Sequence, residues 1–116
     1  MPEPEPLRIE NSGYFVLPDG KFPVLLMTVH RNEQGQIWQL VVHFDKNLRA
    51  KLQSSNSVLL ELRGTGDQIE IDTSGESCWD QDYSTPGIRH LEVTKLGQTP
   101  TQTIETWIRA FVRPPN

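Results

Sequence analysis

Between Thr99 and Arg113 the apolar residues Ile104, Trp107, Ile108 and Phe111 recur at intervals of three and four, with Val112 beside them. Only a helix turns such a spacing onto one face. Thr99 is a natural N-cap, Pro100 fits the first helical position, and Gln102 completes a T-x-x-Q capping box. Glu105, Thr106 and Arg109 occupy the other side, and Pro114 and Pro115 end the pattern. The chain therefore closes on an amphipathic helix with a tryptophan in its stripe. The rest of the sequence has to supply an apolar surface to receive it.

That surface is legible as hairpins. Val24 to Phe44 reads as two strands around Asn32-Glu33-Gln34-Gly35, with Arg31 opposite Gln36. This register sets Val29 against Trp38, Met27 against Leu40 and Leu25 against Val42, an apolar face of the kind a half-buried sheet requires. The other face carries Leu26, Thr28, His30, Ile37, Gln39, Val41 and His43. It is mixed, and part of it is expected to be covered.

A second hairpin joins Val58–Arg63 to Gln68–Asp72 through Gly64-Thr65-Gly66-Asp67, setting Leu62 against Ile69, Leu60 against Ile71, and Glu61 against Glu70. Tyr14–Leu17 and Arg89–Thr94 read as further strands. Arg8–Glu10 reads as an edge strand, and Lys46–Leu52 as a helical turn or a crossing between hairpins. The fold class is α+β, mainly β: an antiparallel sheet of five to seven strands built from hairpins, covered by one C-terminal helix. Residues 1–7 form an expected disordered Pro/Glu tail, 8–113 a single globular domain, and 114–116 a short tail.

Antiparallel strands closed by Ile104-Glu105-Thr106-Trp107-Ile108-Arg109-Ala110-Phe111, with Tyr14-Phe15-Val16-Leu17 followed by Asp19-Gly20-Lys21 near the start, resemble the layout of the pleckstrin-homology-like superfold. The resemblance implies a sheet capped by its last helix. Lipid-binding members carry a basic cluster in the first hairpin loop, whereas the early loops here offer only Lys21 and Arg31 among acids. The resemblance therefore does not extend to phosphoinositide binding, and layout alone assigns no function.

With 116 residues the chain can bury roughly two-thirds of its unfolded surface without disulfides. Its single cysteine, Cys78, excludes an internal disulfide framework and fits a reducing compartment such as the cytoplasm. No run approaches the ~20 apolar residues of a membrane span, and Met1-Pro2-Glu3-Pro4-Glu5-Pro6 reads as neither signal peptide nor anchor. A net charge of −4 argues against nucleic acid or an anionic membrane as partner. Lys46, Arg49 and Lys51 form a short basic segment whose one aromatic neighbour is Phe44. From Glu61 to Asp82 seven acids face Arg63 alone, which reads as a solvated strip or as a surface for a basic partner.

Chemistry-bearing residues are present without an assembled motif. His30 and His43 fall at opposite ends of their hairpin, about 20 Å apart at ~3.3 Å per residue, so they cannot share a metal. His90 could approach either by folding, but no third ligand is placed. Asp72, Ser74 and Glu76 lack the glycine and bidentate acid of a calcium loop, and Asp80 with Asp82 lacks the lysine of a two-metal nuclease site. Neither a metal nor another cofactor is expected.

The segment Thr73–Ile88 reads as a long loop without secondary structure of its own, which points to function. Trp79 and Tyr83 interleaved with Asp80 and Asp82 make a partner-binding tip, since aromatic rings give large contact area at low entropy cost. The expected function is thus a non-catalytic protein-interaction module contacting its partner through Trp79, Asp80, Asp82 and Tyr83. The mixed sheet face and its free edge form a second surface. One alternative is a small hydrolase with Cys78 as nucleophile, His90 as base and Asp80 or Asp82 as the orienting acid, although surrounding acids raise rather than lower a thiol pKa. Another is a small-molecule carrier with its ligand between sheet and helix.

Overall fold

A computed structural model describes residues 5–73, 78–81, 86–94 and 96–112. The strands are β1 (Leu7–Leu17), β2 (Gly20–Arg31), β3 (Ile37–Asp45), β4 (Ser57–Leu62), β5 (Gln68–Asp72), β6 (Cys78–Gln81) and β7 (Ile88–Val93). A 3-10 turn at Lys46–Leu48 runs into helix α1 (Arg49–Gln53), and α2 (Gln98–Trp107) continues as a π-helical turn over Ile108–Val112. All pairings are antiparallel, in the order β5-β4-β1-β2-β3-β7-β6. A central meander of β1, β2 and β3 thus receives one hairpin on each flank.

Alternation explains the inner face. Leu40, Val42 and Phe44 on β3, Val58, Leu60 and Leu62 on β4, Ile69 and Ile71 on β5, and Leu91 and Val93 on β7 are buried at every second position. Phe15 meets Phe44 edge to face with ring centroids 5.9 Å apart. Leu48 and Leu52, on the segment that carries the chain from β3 to β4, join the same core, as do Ile104, Trp107 and Ile108 of the terminal helix. The sheet and both helices therefore share one apolar interior.

Both hairpins differ from the expected register by two residues. In the first, Val29 pairs with Leu40 and Met27 with Val42, and a shift between His30 and Arg31 leaves Trp38 as the extra residue opposite the gap. The bulge turns Trp38 out to 41 % exposure and places Ile37 in the core. Its origin lies in the loop. Asn32 accepts at Oδ1 from the N–H of Gln34 and of Gln36, at 3.0 and 2.9 Å, and its own N–H donates to Gln36 O, so a tight Asx turn dictates the spacing.

In the second hairpin Leu60 pairs with Ile69 and Val58 with Ile71, because Leu62 N–H already bonds Asp67 O across a longer turn. Each slip is even, so the apolar faces survive. The expected Glu61–Glu70 repulsion does not occur. Glu61 faces Gln68 and accepts bonds from it at 3.3 Å and from Lys21 at 3.0 Å.

The first strand is longer than expected. Arg8–Glu10 is the start of β1 and pairs with β2 alone, since β4 meets β1 only at Gly13–Val16, and Leu7 belongs to the strand rather than to a tail. A register shift between Glu10 and Gly13, with Asn11 at φ 51°, coils the strand. Past it the buried positions on β2 change from Met27 and Val29 to Val24. Gly13 sits where β1 and β4 nearly touch: a Cβ there would lie 2.0 Å from Glu61 O.

The terminal helix begins earlier than its capping signals suggest. Gly97 is the N-cap, Pro100 occupies the third helical position, and the Thr99 capping box does not form. Pro100 is tolerated there because the first four N–H groups of a helix lack intrahelical partners anyway. Thr101 donates through N–H and Oγ1 to Gly97 O, and Thr103 Oγ1 donates to Thr99 O. Ile104, Trp107 and Ile108 are buried as the stripe requires, but Phe111 is 43 % exposed. Its ring lies instead over Gly64, where a Cβ would meet it at 2.4 Å.

Candidate functional site

The face of the sheet turned away from the core carries the chemistry-bearing residues, and strand pairing arranges them in two rows. One runs Glu10, Leu26, His43, His90, Asp80 across β1, β2, β3, β7 and β6; the next runs Arg8, Thr28, Val41, Glu92, Cys78. His30 opposite Gln39 begins a third row. Residues directly opposed on antiparallel strands have Cβ atoms about 4.5–5.5 Å apart, so these positions are lateral neighbours although they are distant in sequence.

Three features follow. The His43 and His90 rings are 5.5 Å apart, inclined at 55°. His90 Nε2 lies 3.5 Å from Glu92 Oε1, too far for a hydrogen bond, and is buried without a hydrogen-bond partner. Beside them a depression of 520 Å³ opens, lined by Glu5, Pro6, Arg8, Thr28, His30, Val41 and His43. Thr28 at its floor is only 5 % exposed despite belonging to the outer face. Trp38 flanks the depression, its ring centroid 6.0 Å from that of His30. The Asx turn and bulge that push Trp38 out of the core are therefore what bring an aromatic ring to this rim.

Both helices place their buried residues in the inner core, which leaves the outer face to other uses. At its far end Tyr14 and Leu59 are also exposed, with Leu59 opposite Val16 and Tyr14 opposite Pro23. Lys21 and Glu61 form an ion pair beside them. Lys51 pairs with Asp19 and stands 4.6 Å above the Phe22 ring, so the basic segment expected around it is partly neutralised. A separate recess of 330 Å³ lies between the Gly35–Ile37 turn and the first turns of α2.

The expected partner-binding residues divide. Trp79 and Asp80 lie on β6, an edge strand, opposite Leu91 and His90, so the segment expected to be loop throughout contains a strand. Asp82 and Tyr83 lie outside the described residues. Cys78 is opposite Glu92 and Asp80 opposite His90, which brings the positions of the hydrolase alternative onto one face with an acid at each step. The sequence allows His90 to approach either His30 or His43, and it is His43 that it meets, because adjacency of β3 and β7 is a property of topology. The one available signal was that His43 and His90 each occupy the polar phase of an alternating strand.

Among the described residues no helix is long and apolar enough to cross a membrane, and no three His, Cys, Asp or Glu side chains already converge on a metal position. No family model, curated protein or solved structure matches the chain. The likeness to the pleckstrin-homology-like layout is thus confined to strands closed by a terminal helix with a buried tryptophan.

Proposed function

We propose that the protein is a non-catalytic adaptor or accessory module that binds a protein partner on the outer face of its sheet. The observation that carries this reading is the depression floored by Thr28 and Val41, with His30 and Arg8 on its sides and the exposed Trp38 at its rim. An apolar floor, a few convergent polar groups and an exposed indole are the elements of an interaction surface. The inner face, by contrast, is occupied by the protein's own helix. The edge strand β6 extends the surface, since its free side offers backbone groups to an added strand and Asp80 holds the outer-face register position opposite His90, with Trp79 next to it in sequence. Asp82 and Tyr83, next in sequence, are assigned to the same partner on their residue types alone. The single cysteine supports a reducing, cytoplasmic setting.

Quantitative affinity capture tests this with four forms of the protein: wild type, His30→Ala/Trp38→Ala, Trp79→Ala/Tyr83→Ala, and Tyr14→Ala at the far end of the face. The reading expects a defined protein to be depleted from the first two variants and retained by Tyr14→Ala, with all forms matching wild type in circular dichroism. Equal recovery from all four forms overturns it.

A further inference from the structure

We infer that a recess at the other end of the outer face, lined by Asn11, Gly13, Tyr14, Pro23, Val24 and Arg63, binds a small-molecule carboxylate with a flat apolar body, held by the Arg63 guanidinium. The inference is independent of the partner-binding reading. Tyr14, one wall of the recess, is the residue whose replacement that reading expects to leave protein capture unchanged.

The recess exists because the sheet bends there. β1 carries its register shift between Glu10 and Gly13, with Asn11 at φ 51°, and on the neighbouring β2 the buried positions change from Met27 to Val24. Such a shift bends a strand and re-aims the side chains around it. Gly13 adds no side chain, and a hollow of 220 Å³ lies beside it. Tyr14 and Pro23, directly opposed across β1 and β2, are both exposed and both line the hollow. Their rings give it apolar walls suited to a flat body.

The polar groups of the recess are all able to donate. Arg63 has its backbone fixed on both sides: its N–H donates to Ser12 O at 2.9 Å, and its carbonyl accepts from Trp107 Nε1 at 2.8 Å. Its guanidinium, by contrast, reaches only Asn11 O, at 3.5 Å, and forms no ion pair among the described residues. Neither the Tyr14 hydroxyl nor the Asn11 carboxamide has a hydrogen-bond partner among those residues. No carboxylate lines the recess. Glu61, the acid opposite Tyr14, is engaged by Lys21 and Gln68. Apolar walls with a few convergent polar groups are what a small ligand's site consists of.

The same groups narrow the ligand. A guanidinium offers parallel N–H groups that match the two oxygens of a carboxylate. One cation balances one negative charge, whereas a phosphate dianion would bring a second into a chain whose net charge is already −4. The volume of 220 Å³ falls below the about 300–1,000 Å³ of drug-sized sites, so the body is about the size of one ring.

The test is an NMR titration of isotope-labelled full-length protein with benzoate at pH 7. Saturable shifts should appear at the amides of Asn11, Gly13, Tyr14 and Arg63, with a Kd on the order of 1 mM, as suits so small a ligand. Arg63→Gln should weaken binding at least about tenfold. Arg63→Lys, which keeps the charge without the fork, should weaken it at least about threefold. Benzamide, the uncharged counterpart, should give no saturable shift. Phenyl phosphate supplies the dianion, and acetyl-Gly-Gly-Phe places a carboxylate at a peptide terminus; neither should bind more tightly than benzoate. The unliganded spectrum of each variant separates loss of binding from unfolding. Failure of benzoate to saturate the wild type by about 20 mM, unchanged affinity in Arg63→Gln, or tighter binding of phenyl phosphate or of the peptide overturns the inference.

Discussion

The indole Nε1–H of Trp107 donates to the carbonyl oxygen of Arg63 at 2.8 Å, fastening the last helix to the turn between β4 and β5. Four residues on, Phe111 stacks at 6.1 Å from the same indole and covers Gly64. The stripe that closes the chain is thus also a clasp on one specific turn, and it fixes which face of the sheet is interior.

Replacement of Trp107 separates the two contributions. Trp107→Ala should destabilise the protein by about 3–5 kcal/mol through lost burial and a cavity. Trp107→Phe keeps most of the apolar volume and should cost about 1–3 kcal/mol, chiefly because the Arg63 carbonyl loses its donor. Urea denaturation of both variants checks this. A phenylalanine variant as stable as wild type would show that the indole bond contributes nothing.

Gly13 is the narrowest point of the sheet. An added methyl would be driven into the Glu61 carbonyl, a backbone atom that cannot rotate away, so β1 and β4 must separate. Gly13→Ala should therefore lose more than about 3 kcal/mol, at or beyond the upper end of ordinary overpacking. The same change at Gly97, where the nearest atom is Pro100 Cδ at 3.5 Å, meets only ordinary contact. Thermal denaturation of the two variants side by side makes the comparison, and similar losses would contradict it.

The Lys21–Glu61 pair links stability to pH. The hydrogen bond from Lys21, and after it that from Gln68, holds the Glu61 carboxyl below its ordinary value of 4.5. A carboxyl whose pKa is lower in the folded state stabilises the fold above its unfolded pKa, and the contribution disappears as the pH falls through the folded value. Lys21→Met should therefore make the urea midpoint fall less steeply between about pH 5 and pH 3. Lys21 stands in solvent, so the difference should be small and should shrink in 1 M salt. A variant whose midpoint falls in parallel with wild type contradicts the assignment.

Cys78 tests the hydrolase alternative. Cys78 is opposite Glu92 in the register and lies between Glu76 and Asp80 in the sequence, and neighbouring acids disfavour a thiolate. Alkylation by iodoacetamide at neutral pH should be no faster than that of a cysteine in an unstructured peptide. Rapid alkylation that His90→Ala abolishes would revive an activated nucleophile.

Burial phase was far more legible in the sequence than register. The period-two alternation of Leu60 and Leu62 or Leu91 and Val93, and the helical spacing of Ile104 and Trp107, encode which side chains enter the core, and each is buried. Register depends on turn chemistry that the apolar pattern does not contain. Asn32, acting through its own side chain, lengthened one loop and expelled Trp38; the Leu62–Asp67 bond lengthened the other. Both slips were by two residues, to which a period-two pattern is blind. The candidate site suffered most. The His43–His90 contact needs β7 to dock on β3 across more than forty residues of sequence, and nothing in either strand names the other.

The account turns on the outer face near Trp38 being where a partner sits. Trp38 is exposed and belongs to no core cluster, so its replacement should change stability by no more than about 0.5 kcal/mol. A photo-crosslinking phenylalanine analogue can therefore be placed there, and a second one at the comparably exposed Leu59 on the far end of the same face. Irradiation in the cellular setting should join one discrete protein to position 38 and none to position 59. Labelling at 59 but not at 38, or the same diffuse labelling at both, would contradict the account.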